Sequence, residues 1–180
     1  MTENPWKTKN IQLIYENPWI TLEEHQVINP AGNDGIYGKV HFKNRAIAII
    51  PIDVDHHTWL IGQYRYPLDS YSWEIPMGGG PIGEEPLDSA KRELKEETGL
   101  TANKWTKIQE IHTSNSVTDE VGSIYLAEDL TEGETEFEET EVLQIRKVHF
   151  SKALEMVLAG EITDSISIAG IFKAARILGY

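Results

Sequence analysis

Cysteine is absent from the 180 residues, which excludes disulfides, zinc-thiolate sites and cysteine nucleophiles. Long apolar runs are missing as well. The longest, Ala46 to Ile52, falls far short of the roughly 20 residues that span a bilayer. The N-terminal Met1-Thr-Glu-Asn-Pro-Trp6 has no basic stretch leading into an apolar one, so no signal peptide is expected and a soluble cytoplasmic location is. Basic charge is scarce: 16 Lys and Arg against 29 Asp and Glu give a formal net charge of −13. That balance speaks against a protein that tracks nucleic-acid phosphates or an anionic membrane surface. What remains is 40% hydrophobic and 25% charged, a globular rather than a disordered balance.

The acid is concentrated. Glu128 to Glu141 holds eight carboxylates and no Lys or Arg, and Glu84 to Glu97 holds six against three bases. Such runs are ordinarily solvated faces, but two that converge are what a hard divalent cation requires.

Along the chain, Ile11 to Tyr15, Trp19 to Val27 and Ile36 to Phe42 read as short strands, with Asn29 to Gly35 a turn cluster. Ala46 to Val54 reads as a buried strand and Thr58 to Tyr66 as its hairpin partner. Gly78 to Gly83 reads as a glycine-rich loop. Pro86 to Thr98 reads as a helix: proline suits the first turn, Leu87, Ala90 and Leu94 form the buried stripe, and Gly99 stops it. Strands follow at Trp105 to His112, Val121 to Ala127 and Val142 to Phe150. Ser151 is expected to cap a helix through Ala159, and a last helix covers Ser165 to Leu178. This order predicts an α+β fold, with residues 1–45 a small N-terminal antiparallel sheet and 46–180 the main domain.

From Gly78 the chain reads GGGPIGEEPLDSAKRELKEETGL. Glu93, Glu96 and Glu97 stand at i, i+3 and i+4, so their carboxylates leave one side of the helix, opposite the stripe of Leu87, Ala90 and Leu94. Acids late in a helix work against its dipole, which suggests a purpose other than stability. Glycines ahead of the helix allow close backbone approach to a ligand. Arg92 is placed to hold a carboxylate bidentately.

Gly78, Glu84 after five intervening residues, Arg92-Glu93-Leu94 after seven more, then Glu96-Glu97 and Gly99-Leu100 resemble a complete Nudix box. A chance match is below roughly one in 10⁸ per starting position. The resemblance implies a mixed β-sheet sandwiched between helices and hydrolysis of a nucleoside diphosphate linked to another group. It implies Mg²⁺, with Mn²⁺ as an alternative. Glu93 and Glu97 would be the principal ligands, Glu96 would lie beside them, and a backbone carbonyl near Met77-Gly78 would assist. Gln63-Tyr-Arg-Tyr66, Trp73-Glu-Ile-Pro76, Glu138-Glu-Thr-Glu141 and Ala159 to Asp164 resemble the ADP-ribose pyrophosphatase and nucleoside diphosphate sugar hydrolase branch.

That branch implies a homodimer built on the N-terminal strands. It also implies Arg65 as a phosphate-binding arginine, Ser114 and Glu120 flanking the loop that meets the diphosphate and sugar, and Tyr15 and Trp19 as base-stacking candidates. Glu139 falls at the position of the water-activating base and Glu141 at an auxiliary metal position, with Glu120 the next candidate for the base. The polar Ser114 to Glu120 stretch lacks the branch's usual proline, which leaves room for GDP-mannose beside ADP-ribose. Two rival readings are a nucleoside triphosphate or dinucleoside polyphosphate hydrolase and a non-cleaving module of the same fold.

Overall fold

The computed structural model describes residues 3–135 and 142–180. It divides into two compact units, Met1–Asn44 with His112–Glu120, and Arg45–Ile111 with Val121–Tyr180.

The first unit is an antiparallel sheet of β1 (Lys7–Glu16), β2 (Ile20–Ile28) and β3 (Asp34–Phe42), in that order. Asn17 builds the first turn: its side-chain oxygen accepts from the amides of Trp19 at 2.9 Å and Ile20 at 2.8 Å. The segment 112–120 is fastened to β3. Val40 donates to the Val117 carbonyl at 2.9 Å, and Asp119 returns a bond to Val40 at 3.2 Å. The Asp119 carboxylate accepts from His41 Nδ1 at 2.7 Å, Lys39 Nζ at 2.8 Å and the Phe42 amide at 3.0 Å. Burial pushes this carboxyl up, but those donors outweigh it and bring its pKa down to about 2.

The second unit holds β4 (Asn44–Pro51), β5 (His57–Arg65), β6 (Ser70–Glu74), β7 (Met77–Pro81), α1 (Pro86–Thr98), β8 (Thr101–His112), β9 (Val121–Thr131), β10 (Gln144–His149), α2 (Phe150–Leu158) and α3 (Ser165–Leu178). One sheet runs β7-β4-β9-β8 and another β10-β5-β6. Strand β4 pairs with β9 in parallel, from Ala46 opposite Gly122 to Pro51 opposite Ala127. Its alternate residues enter two cores. Ile47 and Ile49 pack with Ala90 and Leu94 of α1, whereas Ala48 and Ile50 pack with Phe150, Met156 and Ile171 of α2 and α3. Burial on both faces is why this strand is apolar from Ala46 onward. The architecture is the expected α+β one, with helices on both sides of mixed strands and a small antiparallel sheet ahead of them.

Four local expectations are corrected. The residues after Met77 are not all loop, because Met77–Pro81 forms the edge strand β7, packed along α1. Strand β5 is not the partner of β4; it pairs with β6 and β10 in the other sheet. The N-cap of α2 is His149, whose ring nitrogen accepts from the Ser151 amide at 3.3 Å, rather than Ser151 itself. Finally, Glu93 and Glu97 lie inside the fold and not on an open face, because β7 covers that side of α1. Helix α1 itself begins and ends where proline and glycine place it, with Gly99 left-handed at φ 71° and its amide bonded to the Lys95 carbonyl at 2.8 Å.

Candidate active site

Helix α1 supplies most of the chemistry. Glu93 is 8% exposed and Glu97 is 3% exposed, one helical turn apart. Carboxylates are rarely this buried unless paired or coordinating. Glu97 accepts the first amide of β7, from Met77, at 2.9 Å. Arg92 ties the cluster together: Nη1 donates to Glu93 at 2.8 Å and Glu96 at 3.1 Å, and Nη2 donates to the Gly79 carbonyl at 3.0 Å. Burial works against its charge, but the carboxylates of Glu93 and Glu96 outweigh that and make its proton harder to remove. Gly78 faces the Glu93 carboxylate so closely that a Cβ built there would stand 2.1 Å from it. Strand and helix therefore meet where only glycine fits.

Arg92, Glu93, Glu96 and Glu97 carry a formal charge of +1 − 3 = −2. Hard carboxylate oxygens with an excess of two negative charges suit a divalent cation. Mg²⁺ in particular takes one or two carboxylates and fills its octahedron with water and substrate phosphate oxygens. Among the described residues no group of three or more His, Asp or Glu side chains cages a cation alone. Glu93 and Glu97 bring two buried carboxylates one helical turn apart. Met77, expected as a carbonyl donor, contributes an N–H to Glu97 in this arrangement.

Arg65, at the end of β5, makes a bidentate pair with Glu74 of β6. Its Nε donates to Glu74 Oε1 at 2.9 Å and its Nη2 to Oε2. That bond to Glu74 raises the Arg65 pKa; burial opposes the shift, and the charges of Glu74, Asp164 and Glu97 reinforce it. Glu74, 2% exposed, is the residue of this site that sequence reading misses. It stands in the Trp73-Glu-Ile-Pro76 stretch, where nothing local announces an ion pair.

Tyr15, Trp19, Ser114 and Glu120 belong to the first unit. Tyr15 and Trp19 are 54% and 66% exposed. The Ser114 carbonyl accepts from the amides of Val117 at 3.0 Å and Thr118 at 2.9 Å, and the Glu120 carboxylate accepts the Thr113 hydroxyl. Glu139 and Glu141 lie outside the described residues. Among the described residues no helix is long and apolar enough to cross a membrane.

Comparison with known proteins gives two family matches: a NUDIX domain over residues 42–165 and a nucleoside diphosphate sugar hydrolase N-terminal domain over residues 6–40. The ADP-ribose pyrophosphatase of Bacillus subtilis (strain 168) is 38% identical over 122 residues, covering 67% of this chain and 66% of that protein. The ADP-ribose pyrophosphatase of Mycobacterium tuberculosis (strain ATCC 25618 / H37Rv) is 33% identical over 178 residues, covering 95% of this chain and 84% of that protein. A crystal structure described as an ADP compounds hydrolase shares the fold, with a TM-score of 0.88 at 23% identity over 99% of this chain and 97% of that one.

Proposed function

Because this chain belongs to the Nudix hydrolase family, we propose that it cleaves the diphosphate of a nucleoside diphosphate sugar, of which ADP-ribose is the first candidate and GDP-mannose the second. Water attacks one phosphorus and the bond from that phosphorus to the bridging oxygen breaks. A nucleoside monophosphate and a sugar phosphate leave. The observation that carries this reading is the pair of buried carboxylates, Glu93 and Glu97, held by Arg92 and the Met77 amide in a cluster of excess negative charge. The match of residues 6–40 to a nucleoside diphosphate sugar hydrolase N-terminal domain narrows the substrate class.

Glu93 and Glu97 would hold Mg²⁺, with Mn²⁺ a workable substitute, and Glu96 and Glu141 would assist. A cation held there would offset diphosphate charge and make water easier to deprotonate. Arg92 orients Glu93 and Glu96, and Arg65 donates to a phosphate oxygen. Glu139 accepts the proton of the attacking water. Ser114 and Glu120 contact the diphosphate and sugar, and Tyr15 and Trp19 stack on the base.

We further propose a cytoplasmic homodimer. In the first unit Val27 is buried while Ile11, Leu13, Tyr15, Trp19 and Ile36 stay exposed. A three-stranded sheet with that much bare apolar surface is covered by a second copy. Turnover of ADP-ribose, GDP-mannose, UDP-glucose and dATP with and without Mg²⁺, products identified, tests the reading. It expects AMP and ribose 5-phosphate from ADP-ribose. Release of pyrophosphate from dATP as the dominant reaction would overturn it in favour of triphosphate hydrolysis.

A further inference from the structure

A cavity of about 170 Å³ opens beside the Arg65–Glu74 pair, lined by Arg65, Leu68, Ser72, Glu74, Thr163 and Asp164. Asp164 is fixed in place, because its carboxylate caps α3 by accepting the Ser167 amide at 2.7 Å. Arg65 is the basic residue among those lining it. The guanidinium has five N–H donors, and two of them go to Glu74.

Stability alone does not account for Glu74. Its side chain is 3% exposed, whereas that of Arg65 is 37% exposed. Exchange of a buried ion pair for apolar residues is often neutral or stabilising, so burial alone does not call for a carboxylate here. Nor does Glu74 strengthen Arg65 as a charge. The pair is neutral, and the Asp164 carboxylate leaves its surroundings negative. What a two-point ion pair supplies is direction: a flexible side chain is held by one edge, and the remaining donors keep one orientation.

We propose that Glu74 is a positioning residue for the hydrolytic site, clamping the Nε–Nη2 edge of Arg65 so that the remaining donors of the guanidinium are oriented for a phosphate oxygen of the diphosphate. The inference rests on the functional reading above. It makes a prediction opposite in sign to that of simple electrostatics. Glu74→Gln removes a negative charge next to a phosphate-binding arginine, so charge alone would tighten anion binding. Loss of orientation weakens it.

The test compares wild type, Glu74→Gln, Arg65→Lys and the double variant. Steady-state kinetics use ADP-ribose and Mg²⁺, and calorimetry without metal uses the α,β-methylene analogue of ADP-ribose. Loss of a directed, charge-assisted bond is worth about tenfold. Glu74→Gln is therefore expected to raise KM and the analogue's Kd about tenfold while kcat changes by less than about threefold. The double variant is expected to be no worse than Arg65→Lys, since both remove the same oriented contact. An unchanged or lowered Kd in Glu74→Gln would overturn the proposal, as would effects of the two substitutions that multiply. If Glu74→Gln does not fold, Glu74→Asp, which keeps the charge and shortens the reach, is read by the same criteria. Wild-type turnover is measured first. Its absence would overturn the functional reading and this inference with it, whereas an active wild type and an unaltered Glu74→Gln would overturn this inference alone.

Discussion

Replacement of Gly78 by alanine separates the architecture of the site from the stability of the fold. Gly78 is not among the glycines with positive φ, so its backbone accepts a Cβ. That Cβ would stand 2.1 Å from the Glu93 Cδ and Oε2 and 2.5 Å from Oε1. Ordinary contact begins at 3.4 Å, so the carboxylate must retreat by 3.4 − 2.1 = 1.3 Å. Metal–ligand distances tolerate shifts of only about 0.2 Å. Misplacement of a reacting group by about 1 Å costs on the order of 10²-fold in rate. The displaced group is the end of a flexible side chain, which keeps the stability penalty near the lower end of the 1–3 kcal/mol typical of overpacking, that is, about 1 kcal/mol. Gly78→Ala should therefore lose about 10²-fold in kcat across a Mg²⁺ titration and shift Tm by only a few degrees. Gly80→Ala should do the reverse, since its Cβ would meet Ile47 at 2.8 Å and Ser89 at 2.9 Å in the core. Gly38, with nothing within 4 Å, is the control. A Gly78→Ala protein within about threefold of wild-type kcat at the same Mg²⁺ concentration would refute the placement of Glu93 at the metal.

Three further outcomes are expected. Glu97→Gln keeps an acceptor for the Met77 amide, so it should fold normally and yet lose about 10²–10³-fold in kcat; near-full activity in both Glu93→Gln and Glu97→Gln would remove the metal assignment. Glu139→Gln should lower kcat by about 10²–10⁴-fold with little change in KM, whereas Glu136→Gln should not; equal activities would move the base elsewhere, with Glu120 next. Asp53 and Asp119 both have folded pKa values of about 2 against 3.8 unperturbed. Burial raises each, but Asp53 is outweighed by the His57 amide and Lys147, and Asp119 by Lys39, His41 and the Phe42 amide. A folded pKa below the unfolded one gives stability that is complete above the unfolded value and is lost as the pH falls toward the folded one. Thermal scans should therefore show Tm dropping between about pH 4 and pH 2, with a shallower slope in Asp119→Asn, and identical slopes would contradict the assignment.

Helix α1 is legible in sequence because its signals are local: Pro86 opens it, Gly99 closes it and Leu94 recurs on the apolar stripe. Strand β7 is not, because three glycines in Met77–Pro81 carry no strand preference and only the neighbouring strand and helix make them extended. The burial of Glu93 and Glu97 is hidden for the same reason, since it depends on what packs against the helix. The partner of β4 is hidden by distance: Ala46 pairs in parallel with Gly122, and the neighbouring strand in sequence belongs to another sheet. Glu74 is hidden until the strand register is known. In the β5–β6 hairpin Arg65 faces Ser70, and Glu74 lies four residues farther along the same face, within reach of a long side chain.

The two units are interleaved along the chain. The segment His112–Glu120 belongs with the N-terminal sheet although it leaves the ribosome 112 − 42 = 70 residues after the end of β3. The first unit is therefore not finished when its three strands have been made. Asp119 reaches Lys39, His41 and the Phe42 amide only after the helix that carries the site and the strand β8 have been synthesised. A chain that begins at residue 45 would carry the segment from Ser114 to Glu120 without the strand that holds it, and Asp119 without the donors that lower its pKa. Removal of the N-terminal sheet is thus a change to a loop on the far side of the sequence, not only the loss of an appendage.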